Sequence, residues 1–176
     1  MKNLLFLSFL ILASCSKKNE YNLSANSDIP DGEMVYLVQY KENVPVLKDS
    51  INVLGGNFSF SDSIVVPEMY YLFFKNIRGN VPVVLEPGNI EMTVYKDSLR
   101  STIIKGTKSN DDFKQYIEES SSFINELNSI QNEINYNIAI NDSLIKLDLE
   151  EQFIEMRKKL TDYEYDFCLL YTSPSP

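Results

Sequence analysis

The sequence predicts an α+β fold, in which an N-terminal antiparallel β-sandwich of about seven or eight short strands precedes a long antiparallel helical hairpin. Two observations carry this prediction. Across residues 21–108, apolar, β-branched and aromatic runs recur with turn residues about every ten positions, as in sandwiches of short strands. From residue 109 the hydrophobic period changes from two to about 3.6, the period of an amphipathic helix. Residues 109–167 are therefore assigned to the hairpin.

Alternation and turn residues define the individual strands. In segment 57–61 two phenylalanines point to one face of a strand and the polar residues point to the other. Gly55-Gly56 lies between two strand patterns and predicts a hairpin turn, because glycine adopts positive φ without steric cost. The predicted strands cover residues 21–26, 33–40, 44–54, 57–62, 69–76, 81–86, 90–95 and 102–105.

Two amphipathic helices follow the strands. Ser109 and Asp112 resemble a capping box at the start of the first helix. Apolar residues at three- and four-residue steps predict about 28 helical residues, about 40 Å in length. Segment 141–143 interrupts the pattern and caps a second helix, whose apolar stripe ends at Phe167. A short break between two such helices predicts an antiparallel hairpin, since neither helix is stable unless its apolar face meets another surface.

Composition narrows the range of functions. The 176 residues carry a net charge of −9 and include no histidine. An acidic chain without clustered Lys or Arg residues fits nucleic acid poorly, so no nucleic-acid partner is predicted. Histidine is the commonest acid–base residue and metal ligand, and its absence removes the usual constellations of both kinds. We therefore predict no catalytic residue, cofactor or metal site in this chain.

Some side-chain clusters allow a functional interpretation, but packing or solvation accounts for each of them. Adjacent carboxylates on a helix diverge in direction by about 100°, so paired acids are interpreted as solvated faces. Asp49-Ser50 is interpreted as a buried or edge polar pair, and Glu86-Pro87-Gly88 as a turn. The aromatic run 70–74 offers stacking surfaces for sugars, but core packing on both faces of a central strand is favoured. The paired acids are Asp111-Asp112, Glu118-Glu119 and Glu150-Glu151.

The N-terminus has the pattern of a bacterial lipoprotein signal. One positive charge at Lys2 precedes an apolar run, residues 4–12, that is too short to span a bilayer of about 30 Å. Leu12-Ala13-Ser14-Cys15 then resembles a lipobox, with Leu12, Ala13 and Ser14 as the signal-peptidase recognition sequence. Cleavage of the signal peptide, residues 1–14, leaves Cys15 as the lipidated N-terminus.

The lipobox sets the expected location. Several acyl chains on Cys15 would anchor the protein stably. Residues 15–20 form the expected lipidated tether. Ser16, in the place of an aspartate, resembles the pattern of outer-membrane sorting. The predicted location is the bacterial cell envelope, on the outer membrane facing the periplasm.

Short motifs in the β region resemble those of one envelope domain family. Segments 49–53 and 56–60 look like its D-S-x-x-V and G-x-F-x-F hairpin, and segment 85–90 looks like its L-E-P-G-x-I turn. Segment 104–110 looks like its closing I-x-G-T-x-x-N sequence. Over residues 21–113 the chain is therefore similar to the uncharacterised N-terminal β domain of Bacteroidota envelope lipoproteins that precedes a thioredoxin-like or peroxiredoxin-like domain.

The resemblance implies that this chain is the non-catalytic module of a thiol–disulfide oxidoreductase. The chain has no C-x-x-C motif and no tryptophan, so no redox residue is carried over and the chain itself is not expected to be an enzyme. Residues 168–176 resemble one translated frame of a sequencing adapter. They are expected to be a non-native tail, and the natural protein is expected to continue beyond Phe167 into the thioredoxin-like domain.

An alternative function remains open. A stand-alone periplasmic lipoprotein with this sequence would bind a ligand, including a carbohydrate, or another envelope protein. In both interpretations the membrane is a partner through the lipid anchor. The helices would then provide spacing from the membrane or contacts for a homodimer.

Overall fold

Strands and helices occupy separate parts of the chain, as predicted. The computed structural model describes residues 19–139 and 143–172. A single turn of 3-10 helix, Leu99–Ser101, precedes the last strand. The predicted α+β class is confirmed. The strands are β1 Glu20–Ser27, β2 Met34–Lys41, β3 Val44–Asn52, β4 Asn57–Ser63, β5 Glu68–Phe74, β6 Ile77–Leu85, β7 Gly88–Val94 and β8 Ile103–Lys105, and the helices are α1 Lys108–Ala139 and α2 Ser143–Thr172.

The strands form two sheets of four. Sheet I has the order β4-β1-β7-β8, and sheet II has the order β3-β2-β5-β6. All neighbouring pairs are antiparallel except β1 and β7, which run parallel with Tyr21 opposite Gly88 and Ser27 opposite Val94. The direction of this pair is not set by a hairpin, because β1 and β7 are far apart in the sequence. The sandwich is thus largely antiparallel, with one parallel pair that the sequence analysis did not predict.

Side chains from the inner faces of both sheets meet in one core. Phe58 and Phe60 are 4% and 2% exposed, which confirms the alternation predicted for β4. Burying a large apolar side chain stabilises the fold by about 1.5–3 kcal/mol, so this core is the main source of stability in the sandwich. Its most deeply buried members include Leu23, Leu37, Leu72, Leu85 and Ile90.

The glycine pair turns the chain from one sheet to the other. Gly55 and Gly56 have φ values of 58° and 73°. The Leu54 N–H donates to the Asn57 carbonyl at 2.9 Å, and the Asn57 N–H donates back at 3.0 Å. The predicted turn is confirmed. Its two strands then separate, because β3 pairs with β2 in sheet II and β4 pairs with β1 in sheet I.

The outer edge of β3 is protected against pairing with a further strand. The register with β2 shifts between Leu37 and Val38, which leaves Lys48 as an extra residue in a bulge. Lys48 Nζ lies 2.9 Å from Asp62 Oδ2 on β4. Asp49 Oδ1 accepts the backbone N–H of Ser50 at 2.7 Å, so a main-chain donor of the edge strand is already used. Bulges and charged side chains of this kind block edge-to-edge association. Asp49-Ser50 is therefore the edge polar pair that the sequence predicted.

The two helices form the predicted antiparallel hairpin. At its base, the Tyr116 ring stacks on Phe167 with a centroid distance of 4.2 Å and on Tyr163 at 5.8 Å. Phe113 lies 6.4 Å from Phe167. The end of α2 is therefore beside the start of α1. Toward the other end of the hairpin, a second cluster consists of Ile130, Ile134 and Leu149.

Both helices are longer than predicted. Helix α1 has 32 residues, and α2 continues to Thr172 instead of ending at Phe167. The origin of residues 168–176 stays a prediction, since helix length does not test it. Neither helix, as far as its described residues go, has an apolar stretch sufficient to cross a membrane.

Candidate functional site

A buried amide joins the start of α1 to the edge of β6. Asn110 is 2% exposed, and its Oδ1 accepts the backbone N–H of Val84 at 3.0 Å. Its Nδ2 donates to the Val84 carbonyl and to Thr107 Oγ1, both at 2.8 Å. The side chain thus satisfies the two main-chain groups that a further strand would otherwise satisfy.

A carboxylate from the β6–β7 turn caps the same helix end. Glu86 Oε1 accepts the Ser109 N–H at 2.8 Å, and Glu86 Oε2 accepts the Ser109 hydroxyl at 2.7 Å. The first N–H groups of a helix lack partners within it, and negative charge is favourable there. The predicted capping box is wrong, because Ser109 lies inside the helix and its N–H is taken by Glu86, while Asp112 forms an ion pair with Lys108.

Close backbone contact fixes the segment that leads into α1. Gly106 has a φ of 105°, and a Cβ added there would lie 2.3 Å from the carbonyl oxygen of Asn89. Only glycine fits this approach, because a side chain would collide with main-chain atoms. We name the group formed by Glu86, Thr107, Ser109 and Asn110 the helix clamp. Two of the motifs quoted for the family resemblance, the turn at 85–90 and the closing sequence at 104–110, take part in it.

Sequence reasoning missed the helix clamp. Glu86 was predicted only as part of a turn, which it is, but its carboxylate also caps a helix that begins 22 residues later. No local pattern indicates such a contact, because its partners are brought together by the path of the chain. The I-x-G-T-x-x-N segment was the sequence signal that could have indicated the helix clamp, because it contains Thr107 and Asn110.

The outer face of sheet II is apolar and aromatic. In the run 70–74, Tyr70, Leu72 and Phe74 are buried in the core, whereas Tyr71 and Phe73 point outward and are half-buried. The predicted core packing on both faces is therefore wrong for the outer face of β5. The outward residue Tyr40 is 46% exposed, and its ring meets that of Tyr71 edge-on at 5.3 Å.

This surface, the aromatic face, reaches from one edge of sheet II to the other. Leu47, Val38, Tyr71 and Pro82 lie in register across its four strands. The solvent face of an antiparallel sheet is normally polar, and exposed apolar patches often mark binding surfaces. The full set that defines the aromatic face is Met34, Tyr36, Val38, Tyr40, Leu47, Tyr71, Phe73 and Pro82.

Comparison with known families now adds to this geometry. The family described as Domain of unknown function (DUF4369) matches residues 21–113, just over half of the chain. The chain belongs to this family. The match spans both sheets and the start of α1, so the DUF4369 domain includes every residue of the helix clamp. No curated protein matches this chain.

Two buried tyrosines lie at one end of the DUF4369 domain. Burial, together with the negative charges of Asp62 and Asp49, raises the pKa of Tyr21 to about 12. Burial and the neighbouring Glu68 raise the pKa of Tyr70 to about 12. The Tyr70 hydroxyl donates to Glu68 Oε2 at 3.2 Å. Both phenols therefore stay protonated near neutral pH and are not nucleophilic phenolates.

The helical acid pairs do not converge. Glu119 accepts hydrogen bonds from Gln115 at 2.8 Å and from Tyr163 of α2, and Glu118 and Glu150 each face a lysine four residues before them. Apart from the Tyr163 contact, these are contacts along the surface of one helix, typical of solvated faces. Among the described residues, no group of three acidic, histidine or cysteine side chains is placed to hold a metal ion.

The remaining predicted site residues are those of the lipobox. Leu12, Ala13, Ser14 and Cys15 lie outside the described residues, and so does the predicted signal peptide. The role of Cys15 stays a prediction. The DUF4369 domain begins six residues after it.

Proposed function

We propose that this chain is the non-catalytic N-terminal module of a membrane-anchored envelope lipoprotein. In this proposal the DUF4369 domain and the helical hairpin hold the thioredoxin-like domain of a thiol–disulfide oxidoreductase. The observation that carries it is the helix clamp, because a buried helix start that is hydrogen-bonded to the sheet acts as a rigid joint and not as a flexible linker. A rigid joint is useful where two attached parts need a fixed relation.

The ends of the module support the same proposal. Tyr21 at the start of β1 pairs with Gly88. A Cβ added at Gly88 would contact Thr107 of the helix clamp at 3.4 Å. Phe167 near the end of α2 packs against Tyr116 near the start of α1. The proposed lipid tether and the proposed following domain would therefore both attach at the same end of the sandwich, which would keep a redox domain near the membrane.

Lipid attachment is tested by metabolic labelling. We expect the full chain, expressed in a Gram-negative host with an alkyne-bearing palmitate, to take up label and to fractionate with the outer membrane. Cys15→Ala should abolish the label, and Cys168→Ala is the matched control that should keep it. Label that persists in Cys15→Ala would contradict the lipoprotein proposal.

The redox assignment is tested separately. We expect the coding DNA after the Phe167 codon in the source genome to encode a strand, a C-x-x-C motif and a helix. An in-frame stop at that point, on DNA without adapter sequence, would contradict this part of the proposal. The chain itself is expected to give no turnover in an insulin-reduction assay, since the proposed module carries no redox pair.

The aromatic face favours a second candidate function, a stand-alone module that binds another envelope protein. Tyrosine, phenylalanine and methionine are enriched at protein interfaces, and this face offers all three on its two central strands, β2 and β5. The test is photo-crosslinking in the envelope with benzoylphenylalanine at Tyr71. A discrete adduct at Tyr71 and none at Glu91, on the opposite outer face, is the expected result. Equal crosslinking at both positions would contradict it.

A further inference from the structure

The outer face of sheet I carries a groove that continues onto the end of β3, at Ile51 and Asn52. Its volume is 630 Å³, within the range of about 300–1,000 Å³ found for small-molecule sites. It crosses all four strands of sheet I, a width of about 14 Å at the usual strand spacing. One row across it consists of Ser59, Ser24, Glu91 and Lys105, and the next consists of Asn57, Asn26, Thr93 and Ile103.

The described lining combines uncharged donors and acceptors with apolar groups of Ala25, Phe58 and Met92. Asn26 Nδ2 donates to Asn57 Oδ1 at 3.2 Å. The amide of Asn26 can make further hydrogen bonds, and among the described residues it has no second partner. The hydroxyls of Ser59 and Thr93 also have no protein partner in the described part of the chain, and both can donate and accept.

The charge of the groove is balanced although the chain is strongly acidic. Among the described residues that line it, Glu91 and Lys105 are the charged ones, and they lie opposite each other on β7 and β8. The described lining is therefore neutral on a chain with a net charge of −9. The acidic surface of the chain would repel an anionic ligand. A cationic ligand would have the carboxylate of Glu91 as its charged partner in the described lining, and Lys105 lies opposite that carboxylate. Apolar contacts are also available, and the most exposed apolar side chains are those of Leu54 and Ile103, at 71% and 43%.

We propose that this groove binds a neutral polyhydroxylated ligand of the oligosaccharide class. Sugar hydroxyls donate and accept hydrogen bonds, which matches the amides and hydroxyls of the two rows. The carbon-bound faces of a sugar ring would contact Leu54 and Ile103. A short oligosaccharide across the strands fits the width and the neutrality of the groove. The proposal goes beyond the lipoprotein function and does not depend on it.

The test is a titration followed by NMR. The full chain, labelled with ¹⁵N, is titrated with cellotetraose, laminaritetraose, mannotetraose and N-acetylchitotetraose, with a galacturonate oligomer as the anionic control. At least one neutral tetrasaccharide should shift the amide signals of Ser24, Asn26 and Thr93 in a saturable way. No saturable shift with any of the four, shifts confined to the aromatic face, or tighter binding of the anionic control would overturn the proposal.

Variants assign the binding to the groove. Thr93→Trp fills it from the outer face and should abolish the shifts. Asn26→Ala should weaken binding about 3- to 10-fold, the effect of losing one or two hydrogen bonds. Ser61→Trp, on the same outer face but outside the groove, and Tyr71→Ala, on the aromatic face, are the controls and should leave binding unchanged. Thermal unfolding verifies that each variant folds. If Thr93→Trp does not fold, the effect of Asn26→Ala on binding decides whether the ligand occupies the groove. Binding unaffected by Asn26→Ala would overturn the assignment.

Discussion

Asn110 pairs with the main chain of Val84 as a neighbouring strand would. It donates to the Val84 carbonyl at 2.8 Å and accepts its N–H at 3.0 Å. The edge of sheet II is therefore closed at this point by a side chain that belongs to a helix. One residue thus ends the sheet and fixes the start of α1, and the stability of both should depend on it.

Asn110→Ala is expected to destabilise the protein by about 3 kcal/mol, because it leaves a buried N–H and a buried carbonyl without partners. The free energy of unfolding is measured by urea denaturation. Asn135→Ala, at an exposed site on the same helix, is the control and should change stability by less than about 0.5 kcal/mol. Equal losses in the two variants would contradict the role assigned to Asn110.

Glu86→Ala should loosen the first turn of α1 without unfolding the sandwich. Loss of a helix cap costs about 1 kcal/mol, and the lost carboxylate also interacts favourably with the helix end. Hydrogen exchange is the measurement, and protection should fall at residues 108–112 while β1 and β2 keep theirs. Glu118→Ala is the control, because it removes an exposed carboxylate from α1 itself, and it should leave hydrogen exchange in the first turn of α1 unchanged.

Gly106→Ala should prevent normal docking of α1. The added Cβ would lie 2.3 Å from the Asn89 carbonyl oxygen, and neither main-chain segment can move without breaking β7–β8 pairing. Gly32→Ala is a matched control, because Gly32 also has positive φ, at 83°, but has no atom within 4 Å of the added Cβ. The control should lose about 1 kcal/mol from backbone strain alone. Similar melting temperatures for the two variants would contradict the proposed collision between the added Cβ at position 106 and the Asn89 carbonyl oxygen.

Stability should fall in alkaline solution between about pH 10 and 12. The pKa values of Tyr21 and Tyr70 are raised by burial from 10.0 to about 12, so in this range the unfolded chain loses protons that the folded protein retains. The folded state then binds more protons, and stability decreases as pH rises. Urea midpoints across this range provide the measurement. The double variant Tyr21→Phe and Tyr70→Phe should show a shallower decrease, and an unchanged slope would exclude these two groups as the cause.

Tyr116→Ala should open the base of the helical hairpin. Its ring stacks on both Phe167 and Tyr163, and such pairs contribute about 0.5–1.5 kcal/mol each beyond burial. Helix content by circular dichroism should melt at lower temperature than the sandwich. Tyr136→Ala is the control, because Tyr136 is 66% exposed and lies on the same helix. A single transition at the wild-type temperature in Tyr116→Ala would show that the stack does not hold the hairpin.

Predictions from local pattern held where one segment contains the whole signal. The period-two alternation of Phe58 and Phe60 placed both in the core, and Gly55-Gly56 formed the expected turn. The run 70–74 was predicted correctly only for its inward residues. Alternation tells which residues share a face, but it does not tell whether another layer covers the second face.

Prediction failed where partners are distant in the sequence. The sequence alone determined the α+β class, the order of strands and helices, the turns and the acidic, histidine-free composition, because each follows from residue types in a short window. Only the tertiary structure decided that β1 and β7 run parallel, that Glu86 and not Asp112 caps α1, and that Asn110 closes the edge of β6. These contacts depend on how the chain folds back on itself, and a hydrogen bond between residues 23 or 26 positions apart leaves no periodic trace in the sequence.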